Sequence, residues 1–301
     1  MDIEKLMQSM KPVSEVFTKE HVDEKVAAET DLQKKFDNRV GPSAEGNPPI
    51  EYHVFSPVKG DESAKYPVVI WLHGMGQGYC FREPLRGTDI ANFVSEPYQA
   101  KFGKGAYIMI PRANEDLGKV DTIARFMYSN SWVAGSDEKG VPDQLPSLLG
   151  AIRQFLAEEK EHIDTSRIYL SGFSAGGHMT WQVLHAMPTT FAAVAPICHA
   201  RHVPTPEQIK AISHVPLWII CGEKDELYKP FVEPTMGLLA NHKSDYRATI
   251  FETVENPDRT PVAHQHFSWV PVTYDMFYND GKPYDEKYPE GFIAWLMSHS
   301  L

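Results

Sequence analysis

The sequence predicts an α/β fold with a mostly parallel central sheet flanked by helices on both faces, and three observations lead to it. Short apolar runs of strand length recur along the chain, several apolar at every position, as expected where both sheet faces are covered. Segments with apolar residues at three-to-four spacing lie between these runs, which is the pattern of βαβ units. Proline and glycine separate these elements rather than interrupt them.

The elements follow one another without a dividing linker. The apolar runs predict strands over 50–55, 68–72, 106–110, 167–171, 192–197, 217–221 and 248–254. The helical patterns cover 145–163, 175–187, 231–242 and 290–299. Residues 49–301 are therefore interpreted as one domain, and the charged, weakly periodic residues 1–48 as a separate N-terminal helical extension. The polar segment 111–144 is long for a loop and is expected to border a functional site.

Composition limits the classes of function. The chain has 301 residues and a formal net charge of −11, which argues against nucleic-acid binding, since phosphates require a basic face. Its cysteines, Cys80, Cys198 and Cys221, form no C-x-x-C pair, so neither a disulfide framework nor a zinc ribbon is expected. No signal peptide and no membrane span is visible. These features predict a cytoplasmic protein, although a leader that had been removed would leave the same pattern.

The stretch SGFSAGGH (171–178) places a serine between small residues, after one apolar run and before a helical pattern. It contains G-x-S-x-G, which a chain of this length matches by chance about one time in ten. The position between a strand and a helix is what a nucleophile elbow requires, because Ser174 must occupy a strained turn there. Gly172 and Gly176 would leave room for neighbouring backbone, and Gly177 would let the helix pack closely.

An elbow requires an oxyanion hole formed by backbone N–H groups. The stretch HGMGQ (73–77) follows an early apolar run, and its glycines allow N–H groups to turn toward a substrate oxygen. The predicted hole is the N–H of Ala175 with that of Met75, and Gly76 is the alternate donor. His73 is expected to brace this loop. The alternative is an ordinary glycine-rich turn.

An acid and a histidine must follow the serine in the chain. Asp225 lies just past the apolar run 217–221 and is favoured over Glu223 and Glu226 as the group that orients the histidine. The stretch VAHQHFSWV (262–270) then offers His264 and His266 as the base. An H-x-H pair can also bind metal, but no further ligand has suitable spacing, and no metal or cofactor is expected.

These stretches together resemble the α/β-hydrolase superfamily. IWLHGMGQG, IYLSGFSAGGH, CGEKDEL and HQHFSW are most similar to the group of polyhydroxybutyrate depolymerases, feruloyl esterases and predicted carboxylesterases. The resemblance covers about residues 50–300 and makes that part a catalytic domain. In this group the catalytic histidine often stands in H-x-x-W, which selects His266, three residues before Trp269. Secreted members commonly carry a signal peptide and disulfides, and this chain shows neither.

The resulting hypothesis is a serine esterase with Ser174 as nucleophile, His266 as base and Asp225 as the orienting acid. Gln77, Trp132 and Trp269 are the candidate substrate-binding residues, although the aromatic side chains could equally pack the loops. The expected partner is a small ester, and homo-oligomers are possible. The alternatives are an amidase or peptidase, an acyltransferase, and a non-catalytic binding protein of the same fold, since one fold hosts many functions.

Overall fold

A computed structural model describes ten parts of the chain. These are residues 32, 34–44, 49–57, 63–74, 90–113, 144–242, 246–276, 278–279, 282–283 and 291–301. Eight strands form the main sheet: β1 (Asp37–Val40), β2 (Glu51–Phe55), β3 (Tyr66–Leu72), β4 (Tyr107–Pro111), β5 (Ile163–Phe173), β6 (Ala193–Ile197), β7 (Leu217–Gly222) and β8 (Tyr246–Phe251). Two further strands, β9 (Tyr278–Asn279) and β10 (Lys282–Pro283), form a separate antiparallel pair.

The main sheet has the order β1-β2-β4-β3-β5-β6-β7-β8. The pairs β1–β2 and β2–β4 are antiparallel, and the remaining pairs from β4 to β8 are parallel. The carboxyl ends of the parallel strands therefore meet at one edge, where crossover connections place ligand-binding groups in open α/β sheets.

Seven α-helices are described: α1 (Glu96–Lys101), α2 (Leu145–Glu158), α3 (Ala175–Ala186), α4 (Pro206–Ala211), α5 (Glu233–Asn241), α6 (Trp269–Thr273) and α7 (Phe292–Met297). A short 3₁₀ helix covers Ile90–Val94, and a π-helical turn covers Tyr228–Val232 before α5. In the described part of the chain, no helix is both long enough and apolar enough to span a membrane.

Both faces of the sheet are covered, as the apolar runs predicted. All seven residues of β3 are buried, and successive side chains in a strand point to opposite faces. On one face, Phe155 of α2 meets Tyr107 edge-on, with ring centroids 5.8 Å apart. On the other, Trp71 meets Phe93 at 6.0 Å. The register pairs Ile70 with Met109, so Trp71 and Tyr107 point to opposite faces.

The predicted strands are confirmed, and the fold class with them. The exception is β5, which begins at Ile163 rather than near 167, because the helix predicted over 145–163 ends at Glu158. The connection between them is a short turn in which the His162 and Ile163 N–H groups both bond to the Glu159 carbonyl.

The sheet also begins earlier than the sequence suggested. Asp37–Val40, assigned to the N-terminal extension, form the antiparallel edge strand β1 against β2. The sequence DNRV has no apolar alternation, and its burial pattern is mostly exposed, so strand pairing alone defines it. Residues 1–31 lie outside the described part of the chain, and the helical character of the extension stays a prediction.

Candidate active site

Ser174 occupies the turn between β5 and α3. Its backbone has φ 56° and ψ −117°, a left-handed φ that is strained for a residue with a side chain. The strain is held by its neighbours: the Ser174 N–H donates to the Ile197 carbonyl at 3.0 Å, and the Ser174 carbonyl accepts the N–H of Ala200 at 3.2 Å. The turn therefore presents a half-buried hydroxyl at the carboxyl edge of the sheet.

Close backbone contacts explain the glycines around Ser174. A Cβ on Gly172 would lie 2.7 Å from the Gly176 carbonyl oxygen, and one on Gly176 would lie 2.1 Å from that of Leu72. A Cβ on Gly177 would lie 2.7 Å from the Ile197 oxygen. All three distances are far shorter than real contacts, so these positions require glycine, as the motif predicted.

Asp225 and His266 meet at the same edge. Asp225 follows β7, and its Oδ2 lies 2.8 Å from Nδ1 of His266. The two residues are 4% and 7% exposed, so solvent does little to weaken the pair. Because a carboxylate only accepts, Nδ1–H of His266 is the donor, and in the neutral ring Nε2 is then an acceptor. The other Asp225 oxygen accepts the Leu227 N–H at 2.9 Å.

The pair shifts both pKa values in opposite directions. Burial alone would lower the pKa of His266, but the charge and hydrogen bond of Asp225, together with those of neighbouring Cys198, outweigh burial and raise that pKa well above 6.5. Burial alone would raise the pKa of Asp225, yet the charge and hydrogen bond of His266 lower it. Asp225 is therefore ionised at neutral pH.

The rival residues have other surroundings. His264 lies against Glu226, with Nε2 3.3 Å from Oε1, and forms a second, more exposed pair beside the first. Glu223 has an exposed side chain, and its backbone N–H donates to the Phe251 carbonyl. The geometry thus pairs the histidine and the acid that the sequence favoured, and it leaves Glu223 pointing to solvent.

The Trp269 side chain is buried and packs beside the His266–Asp225 pair. It is 7% exposed, with its ring centroid 4.3 Å from that of Phe173 and 4.6 Å from that of Phe267. It meets the His266 ring edge-on at 5.8 Å, which fixes one side of the imidazole.

His73 ties the ends of β3 and β4 together, in agreement with the bracing role expected for it. Its Nε2 accepts the Ala113 N–H at 3.0 Å, and its Nδ1 lies 2.7 Å from the Gly74 carbonyl oxygen, to which it donates. Burial lowers its pKa to about 4, so the ring is neutral.

Comparisons with known proteins find solved structures with a similar fold. A thermostable esterase structure superposes with a TM-score of 0.61 at 21% identity, over 90% of this chain and 64% of that one. A ferulic acid esterase structure gives a TM-score of 0.52 at 15% identity, over 81% of this chain and 99% of that one. The chain adopts the α/β-hydrolase fold. This confirms the fold class that the sequence predicted.

One curated relative is also similar to this α/β-hydrolase-fold chain. The bifunctional acetylxylan esterase/xylanase XynS20E of Neocallimastix patriciarum is 30% identical over 217 residues, which are 70% of this chain. The chain spans about a quarter of that relative's length, 27%. No family model matches the chain.

Of the predicted oxyanion donors, Ala175 lies in the described part of the chain. Ala175 is the first residue of α3 and is 3% exposed, directly after Ser174. Four other predicted site residues, Met75, Gly76, Gln77 and Trp132, lie outside the described residues.

Sequence reasoning missed Cys198 as a site residue. It directly follows β6, has a left-handed φ of 36°, and is completely buried. One ligand atom each of Cys198, Asp225 and His266 lie within 4.8 Å of one another. Its position just past an apolar run, the signal that selected Asp225, could have identified it.

Proposed function

We propose that this chain is a serine esterase that hydrolyses small carboxylic esters, with Ser174, His266 and Asp225 as its catalytic residues. The buried 2.8 Å hydrogen bond between His266 and Asp225, at the sheet edge that also carries the Ser174 turn, supports it most directly. The esterases among the similar proteins agree with this reaction class.

The proposed reaction begins with attack of the Ser174 hydroxyl oxygen on the ester carbonyl. Nε2 of His266 takes the hydroxyl proton as the bond forms, because Asp225 holds the proton of the other ring nitrogen. The ionised Asp225 stabilises the resulting imidazolium. His266 then gives its proton to the leaving alcohol, and an acyl-enzyme remains on Ser174.

Water completes the proposed cycle. His266 removes a proton from the water molecule that attacks the acyl carbonyl, and returns that proton to Ser174 as the acid leaves. Backbone N–H groups of Ala175 and of Met75, or Gly76 in its place, bind the oxyanion in both steps. Removing one such donor typically costs about 10²–10³ in rate. The Ala175 N–H is at the first turn of α3, where the helix dipole favours negative charge.

The substrate pocket is proposed to include Trp269, Trp132 and Gln77. Support comes from Trp269, whose indole packs on Phe173 and lies edge-on to the His266 ring. An aromatic wall beside the base suits an apolar acyl or aryl group. The role of Gln77 rests on its place in HGMGQ, and that of Trp132 on its place as an aromatic residue in the segment 111–144.

Hydrolysis of p-nitrophenyl acetate tests the reaction. We expect Ser174→Ala to lose activity, because no other hydroxyl is held at the elbow. The matched control is Ser166→Ala at the opposite end of the same strand, where the hydroxyl bonds to Asp164. An active Ser174→Ala protein would overturn the proposal. A panel from acetyl to feruloyl esters, together with a matched anilide, then separates esterase from amidase activity.

A further inference from the structure

A thiol shares the buried corner that holds the His266–Asp225 pair. Cys198 begins the loop after β6, and its N–H donates to the Ile220 carbonyl at 2.7 Å, which fixes the loop against β7. The two backbone hydrogen bonds that hold the Ser174 turn join it to Ile197 and Ala200, which lie on either side of Cys198 in the sequence. The backbone around Cys198 therefore lies beside the turn of the proposed nucleophile and is held there by hydrogen bonds.

The three side chains form a set of metal ligands. A thiolate, an imidazole and a carboxylate are the groups that bind Zn²⁺ in proteins, and three protein ligands with an open fourth position are typical of zinc sites that exchange water. Tetrahedral bonds of ordinary zinc length separate neighbouring ligand atoms by about 3.3–3.6 Å. The atoms of Cys198, Asp225 and His266 lie within 4.8 Å of one another, so shifts of about 1 Å would suffice.

We propose that this chain binds a thiophilic divalent ion of the Zn²⁺ class at Cys198, Asp225 and His266, and that the ion reversibly blocks the active site. The thiol proton, and the proton on the imidazole nitrogen that binds the ion, pass to solvent as the bonds to the metal form, and the ion exchanges waters for the three ligands. The blocking of the active site rests on the proposed function, because the ion would bind the His266 ring and the Asp225 carboxylate, which the proposed hydrolysis uses. Binding itself does not depend on it.

Neighbouring groups in the described part of the chain do not offer an equally compact set of metal ligands. Cys221 is also buried, and its Sγ lies 3.5 Å from Oδ2 of Asp225, but it does not belong to the set of three. Within the part of the chain that the structure describes, no other three histidine, cysteine or acidic residues bring their ligand atoms equally close. The site is therefore expected to hold a single ion.

Metal binding is tested first without catalysis, on the full chain carrying Ser174→Ala. Co²⁺ is the probe, because cobalt bound to a thiolate gives a sulfur-to-metal charge-transfer absorption in the near ultraviolet. We expect one equivalent of Co²⁺ to produce this band and Zn²⁺ to abolish it. Adding Cys198→Ser should remove the band and weaken Zn²⁺ binding, measured by competition with a chromophoric chelator, at least tenfold.

Matched variants separate this site from the other cysteines. Cys221→Ser keeps a hydroxyl beside Asp225 and should retain the band, as should Cys80→Ser, whose position lies outside the described residues. Cys198→Ala, checked by circular dichroism, gives a second test if the serine variant folds poorly. A band that survives both Cys198 substitutions would overturn the proposal, as would the absence of any band in the Ser174→Ala protein.

Inhibition is tested second, on the chain with Ser174 intact. We expect micromolar Zn²⁺ to suppress ester hydrolysis, a chelator to restore it, and Cys198→Ser to raise the inhibitory concentration at least tenfold. If the chain binds Co²⁺ through Cys198 but hydrolyses no ester, the proposed function fails and the metal site stands. If hydrolysis is normal but equally sensitive to Zn²⁺ in Cys198→Ser, the blocking role is wrong.

Discussion

His266 and the histidines around Trp181 are all buried to a large degree, yet their pKa values move in opposite directions. We call the second group the histidine cluster, and its members are His178, His185, His199 and His202. Burial raises the cost of a positive charge in both places. The difference is Asp225, whose carboxylate lies 2.8 Å from His266 and reverses the effect of burial.

Among the described residues, no carboxylate forms an ion pair with a ring of the histidine cluster, and the charge of Asp225 acts only weakly on His199. Burial lowers the pKa of His185 to about 4 and that of His202 to about 3, where the neighbouring histidines add to it. Both ring nitrogens of His185 and Nε2 of His202 are buried without a hydrogen-bond partner among the described residues. Asp225 thus favours the charged form of His266, whereas burial favours the neutral form of the histidine cluster.

Removing the Asp225 carboxylate would abolish the difference between His266 and the histidine cluster. It gives the largest expected effect, which is on catalysis. Asp225→Asn should lower kcat/KM for an ester by about 10⁴, because an amide holds the histidine in the wrong tautomer and stabilises no imidazolium. Glu223→Gln in the same turn is the control, since that side chain is exposed, and it should keep most of the activity. Equal losses in the two variants would contradict the assignment of Asp225.

Acid should destabilise the protein through the histidine cluster. Groups whose pKa is lowered on folding bind more protons in the unfolded chain, so stability should fall as pH drops from 6.5 toward 4. Each histidine contributes at most about 1.4 kcal/mol per pH unit in that window, and the half-buried His185 less because solvent screens it.

His185→Phe tests this explanation, because it keeps the stack on Trp181 and removes the titration. Urea unfolding at pH 7 and pH 5 should show a smaller loss of stability in the variant than in the wild type. An identical pH dependence in both proteins would assign the acid sensitivity to other groups.

Helix α3 connects the Ser174 turn to the histidine cluster. Gly177, near the start of this helix, packs tightly against the backbone of Ile197 and His199. A Cβ there would lie 2.9 Å from Cα of His199, so Gly177→Ala should cost about 1–3 kcal/mol by overpacking. The matched substitution Gly237→Ala, in α5, has nothing within 4 Å and should stabilise the protein by up to about 1 kcal/mol. Thermal unfolding measures both, and a stabilised Gly177→Ala protein would show that the contact is not tight.

The smallest effect is a shift in the pH profile of catalysis. His266 acts as a base only when neutral, so kcat/KM should rise with pH, with a midpoint above 6.5 because Asp225 raises the pKa of the ring. The residual activity of Asp225→Asn should rise at lower pH, since the carboxylate charge no longer raises the pKa of the ring. An unchanged midpoint would mean that the measured titration belongs to another group.

Much of the candidate site could be predicted because its parts follow chain order. Ser174, Asp225 and His266 each follow an apolar run or its connecting loop, and parallel strands bring their carboxyl ends to one edge. Cys198 also follows an apolar run, but the approach of its thiol to His266 depends on a left-handed backbone conformation that sequence patterns do not reveal.

The remaining differences have a similar origin in tertiary contacts. The strand β1 lacks a strand-like sequence and is defined by its pairing with β2. The histidine cluster combines two residues that lie two turns apart on α3 with two from the loop after β6, so only the folded chain assembles it.

The central strand β3 has a consequence for synthesis of the chain on the ribosome. All seven of its residues are buried between β4 and β5, yet β5 begins roughly ninety residues later in the sequence. At the usual pace of translation, about 5–20 s would pass before that partner emerges. During this time β3 can pair only with β4, its other edge lacks a partner, and its mostly apolar side chains are incompletely covered. We expect chaperones that recognise such segments to increase the yield of folded protein.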